Sequence, residues 1–220
     1  MIQLLFAAAF FLGLHFGVAG TSLRPRLIAR LGVKTYHAGF GALSLLGLFW
    51  LLHAYRGAGY VETWGPLAWF KPVAAALMLA AFLLAVIGAL SRDAIRPGEP
   101  EPAAGVQRVT RHPVLCGLAL WAAVHVLANG DLAALILFGA LLVLVVGGGR
   151  SVAAKRREKL GPAWPAYAAA TSVVPFLAIV QGRNRLAWRE LKGWQAVLAL
   201  LLYATVMHFH LRLFGVSPLL

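Results

Sequence analysis

Two histidines stand inside runs too apolar for water: His15 in LGLHFGVAG and His125 in LWAAVHVLANGD. An ionisable side chain in such a run is costly to bury, faces the interior of a helix bundle and marks a functional site by default. The plainer reading is a histidine that hydrogen-bonds a neighbouring helix. Small residues surround both, Gly13 and Gly17 in one run and Ala122, Ala123 and Ala128 in the other, so the backbone can approach a flat ligand closely. Histidines from two different helices are a standard means of holding a haem iron, with the porphyrin between the helices. His15 and His125 are therefore candidate metal ligands. Counted at 1.5 Å per residue, they fall about one turn to opposite sides of their helix centres; His53 and His208 match His125 better in depth. His37 and His53 sit near helix ends, as amphipathic interfacial rings do. His208 and His210, two apart on a helix, point away from each other.

A second constellation is the run Arg108-Val109-Thr110-Arg111-His112-Pro113 leading into VLCGLALWAAVHVLANGD. Pro113 marks a first helical position, which makes His112 the helix-entry residue. Free N–H groups after Pro113, with Arg108 and Arg111 beside them, form an anion site suited to a phosphate or carboxylate ligand or to lipid headgroups. His112 and Cys116 share a helix face, but two ligands are few for a metal. Cys116 is the single cysteine, so there is no intramolecular disulfide.

The elements that must carry these residues follow from composition. Of 220 residues, 61% are hydrophobic and 12% charged, far from the soluble average. Apolar runs of spanning length occur at about 2–20, 36–54, 70–90, 114–128, 132–149 and 194–216. The expected fold is all-α: a polytopic integral membrane protein of about six transmembrane helices plus cytoplasmic interfacial segments, one domain over 1–220. Only Asn129, Gly130 and Asp131 separate the fourth and fifth spans, which predicts a helical hairpin. The first span lacks the basic n-region of a cleavable signal and is expected to be retained.

Basic residues set the orientation. Arg24, Arg26, Arg30 and Lys34 follow the first span, Arg92, Arg96, Arg108 and Arg111 the third, and nine more lie between Arg150 and Lys192. The positive-inside rule places these loops in the cytoplasm and both termini outside, in a bacterial inner membrane. Juxtamembrane charge of this kind answers to anionic headgroups, so the net charge of +13 implies a bilayer partner and no nucleic acid. Residues 92–107, with three prolines and two glycines, read as a flexible connector. Residues 150–193, with Trp164, Tyr167 and Trp188 among the charges, read as interfacial, and TSVVPFLAIV is too short to span.

HFGVAGTSLRPRL, TYHAGFGALSLLGLFWLLHAY and GVQRVTRHPVLCGLALWAAVHVLANGD together resemble the NnrU family of bacterial membrane proteins, over nearly the whole chain. The resemblance implies a polytopic protein linked to nitrite and nitric oxide metabolism in denitrifiers; a separate, non-enzymatic reading is an adaptor or assembly partner of a membrane reductase complex, its histidines bridging helices. Plant cis-zeta-carotene isomerases, haem b enzymes, look like relatives of this family. Their haem histidines fall on His15 and His125, which implies haem b and an apolar small-molecule substrate; their cysteine three positions before the second histidine is Ala122 here. RHPVLCG with the later REKLGPAWPAYAAATSVVPF is similar to membrane isoprenylcysteine and phospholipid methyltransferases. That likeness implies an alternative S-adenosylmethionine pocket framed by Arg111, His112, Pro113, Gly117 and Glu158, with Leu115 in place of the expected aromatic residue.

Overall fold

Glycine and proline punctuate the chain, and between them alanine, leucine and other apolar residues run in helix-length blocks. The computed structural model describes residues 1–91 and 103–219. Arg92, Arg96 and most of the 92–107 connector lie outside the described residues. Helices follow in the order α1 (Ile2–Gly13), α2 (Leu23–Leu31), α3 (Val33–Arg56), α4 (Lys71–Leu90), α5 (Pro113–Asn129), α6 (Leu132–Leu160), α7 (Trp164–Ala170), α8 (Leu177–Val180) and α9 (Gly193–Phe214). Glu62 and Asp131 pair as an isolated antiparallel bridge. The expected all-α polytopic architecture is therefore borne out.

Among the described residues, five segments are long and apolar enough to cross a membrane, beginning at Ile2, Val33, Ala68, Leu132 and Gly193. The remaining expected span, α5, is a shorter apolar helix of 17 residues. Two boundaries differ from expectation. The fifth span does not stop at Gly147-Gly148-Gly149: α6 runs for 29 residues and carries the basic stretch to Leu160 as helix. Ala153, Ala154, Lys155, Arg156 and Arg157 are good helix formers, and they outweigh the glycines. The connector also ends earlier than 107. Gly105–Arg108 forms a 3-10 turn, and Ala103, Ala104, Val106, Gln107 and Arg108 are buried.

The chain divides into two compact units, residues 1–67 with 125–151, and residues 68–124 with 152–220. In the first, α1 packs on α3. Gly47 of α3 lets the rings of Phe10 and Phe11 come so close that a Cβ there would stand 3.0 Å from Phe10. After Gly13 the helix widens into a π segment, Leu14–Ala19. The turn between α5 and α6 is tight, as expected. Gly130 has φ +61° and its missing Cβ would collide with the Gly65 carbonyl, so the position requires glycine. The Gly130 carbonyl accepts from the amides of Thr63 and Gly65, Leu132 N donates to Val61 O, and Trp64 Nε1 donates to Leu127 O at 3.0 Å. Asp131 Oδ1 takes the Ala134 amide at 2.9 Å, capping α6.

In the second unit, α4 lies antiparallel on α9. Gln195 Nε2 donates to Leu90 O at 3.2 Å, Tyr203 Oη to Ala75 O at 3.0 Å, and the Tyr203 ring meets Phe82 edge-on. The start of α5 is set against α4 by two bare positions. A Cβ on Gly88 would lie 2.8 Å from Pro113, and one on Gly117 would lie 2.6 Å from Ala81 O.

Candidate functional site

His15 falls in the π segment of the first unit. Its Nδ1 is 2.8 Å from the Phe11 carbonyl four residues back. A carbonyl oxygen only accepts, so Nδ1 carries the proton and Nε2 presents its lone pair. An N–H of the ring spent on a backbone carbonyl is the arrangement that orients a metal-binding imidazole and raises its basicity. π segments occur frequently at functional sites. The ring is held between Phe11, with centroids 4.5 Å apart, and Phe40 of α3, 5.4 Å away and edge-on.

The row continues along α3. Phe40 stacks on Tyr36 at 5.8 Å, and the Arg24 guanidinium lies 6.0 Å from the Tyr36 ring centre. Tyr36 Oη and Ser44 Oγ on this helix are buried without a hydrogen-bond partner. An orphaned buried hydroxyl costs about 1–3 kcal/mol, and each of the two has a donor and lone pairs unused. Gly13 and Gly17, either side of His15, have nothing within 4 Å of a would-be Cβ. Phe16 by contrast drives its ring against Gly147 of α6, 2.7 Å from where a Cβ would stand.

His125 belongs to the same compact unit. Its ring packs on Phe138 of α6 at 4.6 Å, Phe138 meets Tyr55 of α3 edge-on, and its carbonyl accepts from Asn129 Nδ2. The two expected ligands, 110 positions apart, thus share one unit, each against an aromatic ring of its own. The free Nε2 of His15 has the chemistry of a haem-iron ligand, and His125 stands in the same unit as a second imidazole. No cluster of three or more His, Cys, Asp or Glu suited to a bare metal ion occurs among the described residues. A shallow apolar groove of about 670 Å³ opens beside α1 and α3, lined by Ile2, Gln3, Phe6, Ala9, Phe10 and Trp50.

Arg108, Arg111 and His112 belong to the second unit, where the structure gives each a different environment. Arg108, 3% exposed, meets the Glu190 carboxylate through Nε at 2.7 Å and Nη2 at 2.8 Å. A fork on a carboxylate is the strong geometry for this pair, so Arg108 is spent internally. Arg111 Nη2 donates to Ala168 O at 2.7 Å and Thr171 O at 2.9 Å, closing the C-terminal carbonyls of α7. Its guanidinium also lies over the Trp164 ring. Arg156 reaches in from α6 to the Arg111 carbonyl and Tyr167 Oη, and Tyr167 Oη donates to Gln107 Oε1 at 2.7 Å. His112 accepts the Cys116 amide on its carbonyl, as a helix-entry residue should. Its ring is buried with both nitrogens unpartnered. Burial first, then the charges of Arg156 and Arg111, push its pKa down to about 4.

Arg156, Tyr167, Gln107 and Glu190 were not legible as a network in the sequence, since Arg156 sits in a basic run that reads as solvated. The methyltransferase-like positions are accounted for separately: Gly117 faces the α4 backbone and Glu158 is exposed.

The sequence profile of the NnrU protein family matches residues 3–218. The chain is a member of the NnrU family. It is also similar to the chloroplastic 15-cis-zeta-carotene isomerase of Zea mays, 26% identical over 84% of this chain and 52% of the relative. This NnrU chain therefore spans about half the length of the curated relative it matches. No solved structure matches it.

Proposed function

We propose that this NnrU-family protein holds haem b between His15 and His125 and acts on a long apolar substrate, as a redox-dependent isomerase of a cis double bond. The observation that carries this reading is the His15 imidazole, its Nδ1 proton committed to Phe11 O and its other nitrogen left as a ligand. The likeness to a zeta-carotene isomerase supplies the substrate class.

Each residue has a physical task in this reading. Phe11 O fixes the His15 tautomer; Phe40 and Phe138 fix the two rings by packing. Haem, when bound, supplies an iron that changes oxidation state and coordinates an exchangeable ligand. The buried hydroxyls of Tyr36 and Ser44 would be available to a polar group of the cofactor. The apolar groove beside Phe6, Phe10 and Trp50 takes a hydrocarbon chain from the bilayer without desolvation cost. Family membership also supports a role in nitrite and nitric oxide metabolism, with nitric oxide as the ligand in place of a polyene. The orientation assigned to it is a bacterial inner membrane with both termini outside.

The test is spectroscopic. Protein expressed with added haem and purified in detergent is expected to show a Soret band with about one haem per chain. His15→Ala and His125→Ala are each expected to remove or shift it, and His112→Ala to leave it unchanged. No Soret band in a folded protein, or equal haem in the double variant, overturns the reading. A spectral change on adding nitric oxide, with none on adding a cis-carotene, would favour the nitrogen-oxide role.

A further inference from the structure

The second unit, which holds neither His15 nor His125, gathers three arginines that no carboxylate among the described residues meets. Arg111 Nη2 and Arg183 Nη1 donate to the same oxygen, Thr171 O, at 2.9 and 3.1 Å. Two guanidiniums on one carbonyl are held within about 6 Å of each other, since each bond is about 3 Å long. Arg156 joins them through the Arg111 carbonyl. Arg108, next door, shows what a compensated arginine looks like in this fold, with Glu190 forked on it. Arg111, Arg156 and Arg183 meet backbone carbonyls, hydroxyls and amides only, and among the described residues no carboxylate pairs with them. Like charges this close repel at any protein dielectric.

His112 directly follows Arg111 in the chain and is the unpartnered polar group of the same segment. It is 4% exposed, and a neutral imidazole offers one N–H donor and one lone pair. Neither has a partner, which leaves a desolvation cost for a ring the fold has taken out of water. Arg111 on its own segment and Arg156 on α6 are the charges that bear on it, so the ring is near enough to both guanidiniums to feel them. Burial, and then the like charges of Arg183 and Arg156, lower the pKa of Arg111 too. Arg111 and Arg156 are partly accessible and Arg183 is exposed, so an anion can reach them from water.

We propose that Arg111, Arg156 and Arg183, backed by His112, form a binding site for a phosphate group, carried by a lipid headgroup or by a soluble phosphate compound. Guanidinium forks match phosphate oxygens bidentately, and one such oxygen is the acceptor that His112 lacks. The site differs from an open helix N-terminus: Gly88 of α4 is seated against Pro113 and the Val114 amide, so the arginine side chains, and not the α5 amides, supply the donors.

The experiment uses the full chain in maltoside detergent. Inorganic phosphate is titrated calorimetrically in one arm, and phosphatidylglycerol is added and retained lipid counted by native mass spectrometry in the other. Saturable binding is expected in at least one arm, weakened about tenfold by Arg183→Gln, an exposed position, and by His112→Asn, each with a thermal unfolding midpoint close to wild type. Arg157→Gln, an exposed neighbouring cation, is expected to stay within twofold. Binding in the phosphate arm alone assigns a soluble ligand; binding in the lipid arm alone assigns a headgroup. Binding in neither arm, or equal loss in Arg157→Gln and Arg183→Gln, overturns the proposal.

Discussion

The Tyr167 hydroxyl donates to Gln107 Oε1 at 2.7 Å while accepting from Arg156 at 3.1 Å, so one buried phenol joins α7, α6 and the turn before α5. Tyr167 is fully buried and Gln107 nearly so. Tyr167→Phe keeps the ring and strands the Gln107 oxygen. Loss of one buried partner costs about 1–3 kcal/mol. The expected outcome is a lower unfolding midpoint in detergent with the Soret absorbance per folded chain unchanged. A midpoint equal to wild type would mean that water replaces the phenol.

Glycine positions divide by what lies beside them. Gly117→Val places carbon where the Ala81 carbonyl already stands, 2.6 Å from the Cβ position, and no rotamer relieves a clash with backbone. Overpacking of this kind costs about 1–3 kcal/mol or more. Gly139, with nothing within 4 Å, is expected to accept alanine without loss, since alanine is the better helix former. Thermal unfolding of both variants measures the contrast.

His112 makes stability depend on pH with a definite sign. Its folded pKa of about 4 lies below the ordinary 6.5, so the unfolded chain binds the extra proton between these values. The stabilisation is complete above about pH 6.5 and is lost as pH falls toward 4. Unfolding midpoints measured from pH 4 to 7.5 are expected to fall more steeply on acidification for wild type than for His112→Gln. Parallel curves would remove His112 as the cause. Bound phosphate is expected to lessen the slope, because an anion beside the ring favours its charged form.

Topology is open to a direct reading. A reporter active only outside the cytoplasm, fused to the C-terminal end, is expected to be active, and the same reporter placed after Leu160, at the end of α6, to be silent. Nine basic residues from Arg150 to Lys192 resist translocation together. An inactive C-terminal fusion with normal expression would make α5, at 17 residues, a segment that does not cross.

The broad architecture was legible because it depends on many residues at once. Long apolar blocks with few charges have one physical solution in lipid, a helix whose backbone is satisfied internally, and Asn129-Gly130-Asp131 announced the turn. Individual partners were not legible. Glu190 and Arg108 are 82 residues apart, and nothing local marks that carboxylate from Glu158. Arg156 in AAKRREKL looks like each neighbouring cation; only the fold turns it inward to Tyr167. Phe16 and Gly147 are likewise remote in sequence. His15 stood out because a lone polar group in an apolar block is improbable by chance, while Tyr36 near the start of α3 and Ser44 at its middle, both small in polarity beside a histidine, gave no such signal.

The π segment from Leu14 to Ala19 has a consequence for comparing lengths among relatives. A π turn is what an α-helix becomes when one residue is inserted without lengthening its ends, because each amide there reaches back five residues instead of four. The Phe11 carbonyl, on the last α turn before the segment, accepts both the Leu14 amide and the His15 ring nitrogen. A relative one residue shorter between His15 and Thr21 would form a plain α-helix, and every side chain after the deletion would turn by about 100° relative to the histidine. An alignment gap at this point would therefore mark a change in which residues share a face with the histidine, even where the histidine itself is retained.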